Sequence, residues 1–474
     1  MMKLDLIEEP LLEFGKDTDI CPRQGITDFD VFDSSFEDRR KEINVGAIGT
    51  AENLEQFSTW LEKCENYIPP KKGNKQPRLY PPFPGFNEST GFKARFIFND
   101  RLSKKILNKE NDLVVKNEHK NKRIEYAVNL YLRKIEFLAE NRNPDVIVCI
   151  LPDEFYGKIY RVKKKDFEEK AEEESYEESL ELNFRRALKS KAMKYRIPLQ
   201  LIWENNLTER PKERQDDATR AWNLCTALYF KASQTVPWRL PQKDQSSVCF
   251  VGIGFYRSRD KKTLSTSLAQ IFDEMGKSVI LRGTPINQEK DDRVPHLSED
   301  QAASLLIKAL EEYERAIDHL PARLVIHKSS NFDEKEIEGF RAGAQHMRVN
   351  FVDFVTIMDS NFRFLRSQQY PPMRGTKIQI DENRHVLYTR GSVPFYETYP
   401  GLYIPQPLEI RIAQSEESAL TICREILELT KMNWNNTQFD GKYPITIKCA
   451  RKVGDIMKYL KEDERPEISY KYYM

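Results

Sequence analysis

The densest chemistry in the sequence lies in NFRRALKSKAMKYRIPLQLIWE (183–204). Arg185 and Lys189 stand four residues apart there, which sets both on one face of a helix. The chain then turns at Ile197-Pro198 and presents Gln200 eleven residues after Lys189. Farther on, AWNLCTALYFKASQTVPW (221–238) places Lys231 near the end of an otherwise apolar helix. Cationic side chains of this kind can make charge-assisted hydrogen bonds. Taken singly, each has a plainer reading. Arg185 and Lys189 read as a solvated helix face, and Lys231 as an end residue whose stem lies on apolar surface while its ammonium reaches water.

Other chemistry is weaker. VGIGFYR (251–257) has the first GxG spacing of a dinucleotide-binding turn, but Arg257 occupies the place of the third glycine and the glycines sit inside an apolar strand pattern instead of opening a helix. Histidines 119, 296, 319, 327, 346 and 385 show neither HExxH nor paired spacing, so they read as surface or hydrogen-bonded side chains. The seven cysteines are scattered, odd in number and never in a CxxC pair, which argues against a disulfide framework and a zinc site and for reduced thiols in a cytoplasmic protein. DFEEKAEEESYEESLE (166–181) reads as a solvated helix face or a mobile insertion, since it lacks the ligand variety of a metal loop.

The elements that must position these residues alternate between strand and helix. EINVGAIGT (42–50) predicts a buried strand and ENLEQFSTWLEKCENYI an amphipathic helix. Residues 69–86, with six prolines, predict a loop, either a lid or a plain connector. Ile124, Val128, Leu132, Ile135 and Leu138 recur at helical spacing before the apolar run VIVCIL (146–151), the order of a parallel-type sheet. The second half repeats the grammar. Strands are expected at 248–256, 278–283, 323–328 and 349–358, helices at 299–317 and 333–347, a hairpin at 376–391, and two last helices near 415–432 and 448–460. Two α/β lobes follow, with a boundary near Pro237 to Ser247.

The 474 residues suit two or three domains, and 39% hydrophobic with 11% aromatic residues are enough for folded cores. Lys plus Arg, 75, nearly balances Asp plus Glu, 74. A net charge of +1 advertises no broad nucleic-acid surface, so any basic site must be local. MMKLDLIEEPLLEFG carries acids where a signal peptide needs a basic region, and no run approaches the length of a membrane span.

Taken together, RxxxK, then IPxQ, then NLCTALYFKASQTVPW (223–238) resemble the 5'-phosphate pocket of the MID domain in prokaryotic Argonaute proteins. PLLEFG with CPRQGI (10–26), VGAIGT (45–50), YPPFPGF (80–86) and YPITIKCARKVGD (443–455) resemble further segments of the family's short members, so the likeness spans nearly the whole chain. The resemblance implies a Rossmann-like MID lobe over 1–236, including the amino-terminal segment, and an RNase H-like PIWI lobe over 237–474. It implies that Arg185, Lys189, Gln200 and Lys231 surround a guide's terminal phosphate. Mg2+ would be bound there with help from the carboxyl terminus at Met474. Arg185 stands where Tyr or His is common, and its guanidinium plane can also stack on a base.

An active PIWI domain holds two divalent ions with an Asp-Glu-Asp set plus Asp or His. By the resemblance, three of these positions fall at Gly254, Ser329 and Arg451, which implies a PIWI fold without catalysis. The length fits a MID plus PIWI protein lacking the amino-terminal and PAZ domains of long Argonautes. Such short Argonautes act in prokaryotic defence against plasmids or phage with an APAZ-domain partner carrying an effector. The expected guide is RNA, the target DNA, and the effector a sirtuin-like or TIR enzyme that depletes NAD in preference to a nuclease, within a heterodimer. The competing readings are a metal-dependent guided nuclease using Asp260, Asp333 or Asp440, and a nucleotide-binding regulatory protein without a guide.

Overall fold

The computed structural model describes all residues except 1–2, 118, 157, 160–181, 209–214, 234, 242–246, 259–263, 272–277, 287–294, 368–370, 402–403, 461–463 and 465. The acidic segment 166–181 and Asp260 therefore lie outside the described residues. The chain forms two compact units. One comprises residues 14–238 with 434–437 and Met474; the other comprises 1–13, 239–433 and 438–473. The amino-terminal segment, expected in the first lobe, thus contributes Leu4–Leu6 to the sheet of the second, where it pairs antiparallel with Thr376–Gln379.

In the first unit, strands Arg95–Ile97, Glu42–Gly49, Val146–Leu151 and Leu199–Trp203 lie side by side in that order, all parallel, and Ser103–Lys105 also pairs with Glu42–Gly49. Every residue of Val146–Leu151 and of Leu199–Trp203 is buried, as parallel strands covered on both faces must be. Helix Ala51–Glu65 starts at Thr50, whose side chain accepts from Asn53 N while Asn53 returns the bond to Thr50 N. Helix Lys120–Asn141 packs Ile124, Val128, Ile135 and Leu138 into a core with Ile147, Cys149, Leu199 and Leu201. The proline-rich segment is anchored at its end: Phe83 and Phe86 are fully buried, Phe86 stacks on Phe96, and Trp222 Nε1 donates to Pro82 O.

In the second unit the described residues form a nine-stranded sheet. Its order is Leu4–Leu6, Thr376–Gln379, Arg384–Leu387, Leu408–Gln414, Phe351–Asp359, Arg323–Lys328, Val248–Arg257, Leu264–Ile271 and Ser278–Ile286. Arg323–Lys328 is parallel to both neighbours and the other pairings are antiparallel. Helices Glu299–Ile317 and Glu334–His346 bury one face with Cys249, Val251 and Ile253. Helix Ile445–Met457 meets Gly252, where a Cβ would lie 2.2 Å from Thr446 O. That close approach, and not a phosphate turn, is what the first glycine of VGIG serves. Leu264–Ile271, Leu408–Gln414 and the short helix Pro22–Phe29 are elements that the sequence reading did not place. Among the described residues, no helix is long and apolar enough to cross a membrane.

Candidate functional site

Helix Leu182–Ala192 carries Arg185 and Lys189. Phe184, Leu188 and Ala192 form its buried stripe, and Lys189, adjoining that stripe, is itself only 2% exposed. The solvated-face reading therefore fails for Lys189, while Arg185 is half-buried. The chain reverses through Arg196 in a left-handed conformation. Pro198 then disfavours helix at Ile197 and starts Leu199–Trp203. Gln200 lies in that strand opposite Val148, one residue before Cys149. Burial pushes the Cys149 thiol well up, and the charge of Lys189 pulls it the other way.

Lys231 is the penultimate residue of helix Asp217–Ala232, which Asp216 caps by accepting from Thr219 N. Instead of reaching water, Lys231 has no exposed surface. Its Nζ donates to Gln200 Oε1 at 2.7 Å and to Asn435 Oδ1. Gln200, 6% exposed, in turn donates from Nε2 to Leu201 O. The structure thus joins Gln200 and Lys231 directly and brings Lys189 inward within the same unit. Met474 is 1% exposed and belongs to this unit, whereas Tyr473 before it belongs to the other. Asn435 had no sequence signal: it lies 204 residues beyond Lys231 in a stretch without periodicity.

The positions aligned with PIWI carboxylates sit in the second unit. Gly254 is in Val248–Arg257, Ser329 follows Arg323–Lys328, and Arg451 is within Ile445–Met457. Lys328, the last residue of its strand, pairs with Ile253, the residue before Gly254, and Ser329 follows as the chain leaves the strand. Alternation puts Gly254 on the face of Gly252 and His327, against which Thr446 packs: His327 Nδ1 lies 2.8 Å from Thr446 Oγ1. Neither Gly254 nor Ser329 offers a carboxylate, and the Arg451 guanidinium lies 4.2 Å from the Tyr443 ring centroid. His327 is fully buried and takes the hydrogen-bonded one of the two readings given to the histidines. Burial first, and then the charge of Arg323, lower its pKa to about 3 and hold it neutral.

On the opposite face, Lys328 donates to both oxygens of Glu336 at 2.7 and 2.5 Å. Glu336 also accepts from Leu297 N and Asp333 N and lies 3.0 Å from His296 Nδ1. This buried ion pair was not legible in the sequence, although the spacing of Lys328 and Glu336 spans only a turn and the start of a helix. Asp333 serves as the N-cap of that helix. Asp440 is buried, and its carboxyl is pushed up by burial against the opposing pull of Arg390 and Arg374. Among the described residues, no group of three or more His, Cys, Asp or Glu is placed to hold a metal ion.

No family model matches the chain. The Argonaute of Aquifex aeolicus is 24% identical over 230 residues, 47% of this chain and 29% of that protein. Among solved structures, Clostridium butyricum Argonaute bound to a guide DNA (5' deoxycytidine) and a 19-mer target DNA superposes with a TM-score of 0.67 at 14% identity, over 98% of this chain and 54% of that one. Marinitoga piezophila Argonaute in complex with a 5' OH guide RNA gives 0.58 at 13%, over 99% and 59%. The chain spans little more than half the length of these solved proteins. Its two units have the mixed α/β fold of Argonaute MID and PIWI structures.

Proposed function

We propose that the chain is a guide-dependent nucleic-acid recognition protein of the Argonaute type, in which the unit built on residues 14–238 is the MID lobe and the other an RNase H-like PIWI lobe without nuclease activity. The observation that carries this reading is the buried Lys231–Gln200 hydrogen bond, with Lys189 also buried in the same unit, in a chain with the fold of Argonaute structures. A terminal phosphate monoester carries more charge than an internal diester, and buried ammonium and amide donors select for that extra charge. Base pairing then reads sequence while the protein holds the end of the guide.

In this reading Mg2+ would be held at the guide phosphate by Gln200 and Met474. Gln200 and the Met474 carboxylate are hard oxygen donors of the kind it takes, and guide phosphate oxygens would complete its shell. Bound there, it would offset phosphate charge. Without carboxylates at Gly254 and Ser329, cleavage of either strand by this chain is not expected with Mg2+ or Mn2+. Target recognition is read out instead by an APAZ-domain partner with an NAD-consuming effector, a guide RNA pairing with target DNA.

The test is equilibrium binding of guides of one sequence bearing a 5'-phosphate or a 5'-hydroxyl. The phosphorylated guide binds more tightly, and Lys189→Ala or Gln200→Ala weakens it selectively. Equal loss of both guides would reject the pocket. For the partner, NAD loss in the coexpressed pair should require guide and matched target together; loss that ignores the target would reject that step.

A further inference from the structure

The nine-stranded sheet of the second unit ends differently at its two edges. Along Ser278–Ile286, Ile280 N donates outward to Ile468 O at 2.8 Å, so the chain covers that edge itself. At the other end Leu4–Leu6 is the last strand, and no described strand pairs beyond it. Ile7 N donates to Gly375 O and Lys3 O accepts from Gln379 N, both at 2.9 Å, so the odd-numbered residues bond to the Thr376–Gln379 side. By alternation, Leu4 and Leu6 turn their N–H and C=O groups to the open side. Such an edge is a template for a further strand.

The side chains along it fit that use. Leu4 and Leu6 are 65% and 50% exposed, and Leu4 stands in one row with Ile378 and Val386, members of a buried apolar cluster. Helix Ala419–Leu429 brings Leu420 and Arg424 to the same edge, where with residues 4–8 they line a groove of about 590 Å³. Of the charges in the groove, Asp5 is held by Lys377 Nζ at 3.0 Å. Arg424 and Glu8 are exposed and, among the described residues, make no ion pair.

We propose that the open edge of Leu4–Leu6 is a docking site for a partner protein, one segment of which joins the sheet as a further strand. That segment places apolar side chains beside Leu4 and Leu6, a carboxylate on Arg424 and a cation on Glu8. Outward backbone groups repeating at the strand period call for an extended polypeptide. A second copy of this chain fits less well: paired antiparallel with Leu4 against Leu6, it sets Asp5 directly opposite its counterpart, like charge against like. The site does not depend on the guide-binding reading of the first unit.

The experiment adds labelled nine-residue peptides, threonine alternating with valine around a central glutamate or lysine, to the full chain and follows fluorescence anisotropy. Wild type should bind the glutamate peptide roughly fivefold more tightly than the lysine peptide, and Arg424→Glu, a change at an exposed side chain, should reverse the order. Leu6→Pro removes an outward N–H but spares the bonds to Thr376–Gln379, and should weaken both peptides roughly tenfold. Failure of wild type to bind either peptide, or binding indifferent to both substitutions, overturns the proposal. Sedimentation of wild type alone as a dimer that Leu6→Pro dissociates would give the edge to a second copy and overturn it as well.

Discussion

Carboxylates hold several buried cations of the second unit, while in the first a buried lysine donates to carboxamides. In the second, Lys328 lies against Glu336, Lys431 and Arg374 share Glu9, and Arg323 bridges Asp353 and Glu425, so each is matched by a carboxylate within its own unit. In the first, Lys231 donates to the carboxamides of Gln200 and Asn435. Carboxylates lock a cation into the structure and would compete with any incoming anion. Carboxamides orient an ammonium without repelling one. Under the proposed function, the contrast is one between a lysine that serves the fold and a lysine that serves a ligand.

The largest test of this contrast is a matched pair of substitutions. Lys328→Met strands the Glu336 carboxylate in the interior and should cost about 3–5 kcal/mol in urea unfolding. Lys231→Met leaves two carboxamides each short of a donor and should cost about 1–3 kcal/mol. Equal losses would break the distinction.

A pH series comes next. His327 takes up a proton less readily in the fold, at about 3, than in the unfolded chain, near 6.5. Above pH 6.5 neither form is charged and nothing depends on pH. As pH falls from 6.5 toward 3, the unfolded chain gains a proton that the fold refuses, so stability declines, by on the order of 2 kcal/mol at pH 5. The loss between pH 7 and pH 5 should shrink by that amount in His327→Gln; an unchanged slope would place the acid sensitivity elsewhere.

The smallest effects should be the same in both units. Thr50→Ala and Ser298→Ala each remove a capping box and should each lower stability by about 1 kcal/mol. Matching values would show that the units differ in their buried charges and not in local helix chemistry, whereas a large disparity would blunt the comparison.

Much of this was legible in the sequence for physical reasons. VIVCIL and the VGAIG end of its neighbouring strand are continuous apolar or glycine runs because strands of a parallel sheet are covered on both faces, and Ile124 to Leu138 keep helical spacing because one side of that helix meets them. LSTSLAQI carries no such signal, since its polar residues mask the alternation of a strand. At the site, the sequence supplied Lys189, Gln200 and Lys231 by local spacing and resemblance. It misjudged their burial, because whether a lysine snorkels or turns inward is decided by what packs over it. Asn435 and the Lys328–Glu336 pair depend on tertiary placement that no short window of sequence contains.

The excursion of residues 434–437 bears on how such a protein can be divided or recombined. The chain passes between its two units five times, after residues 13, 238, 433, 437 and 473. No single peptide bond therefore separates one complete folding unit from the other. A fragment ending at Trp238 would keep the carbonyl that accepts from the Trp434 indole and the Phe230 ring beneath it, but lose the tryptophan that covers them. Grafting the first unit onto another scaffold would require its Trp434-Asn435-Asn436-Thr437 patch and final residue to travel with it, which makes the whole chain, and not either half, the modular unit available to engineering and to gene rearrangement.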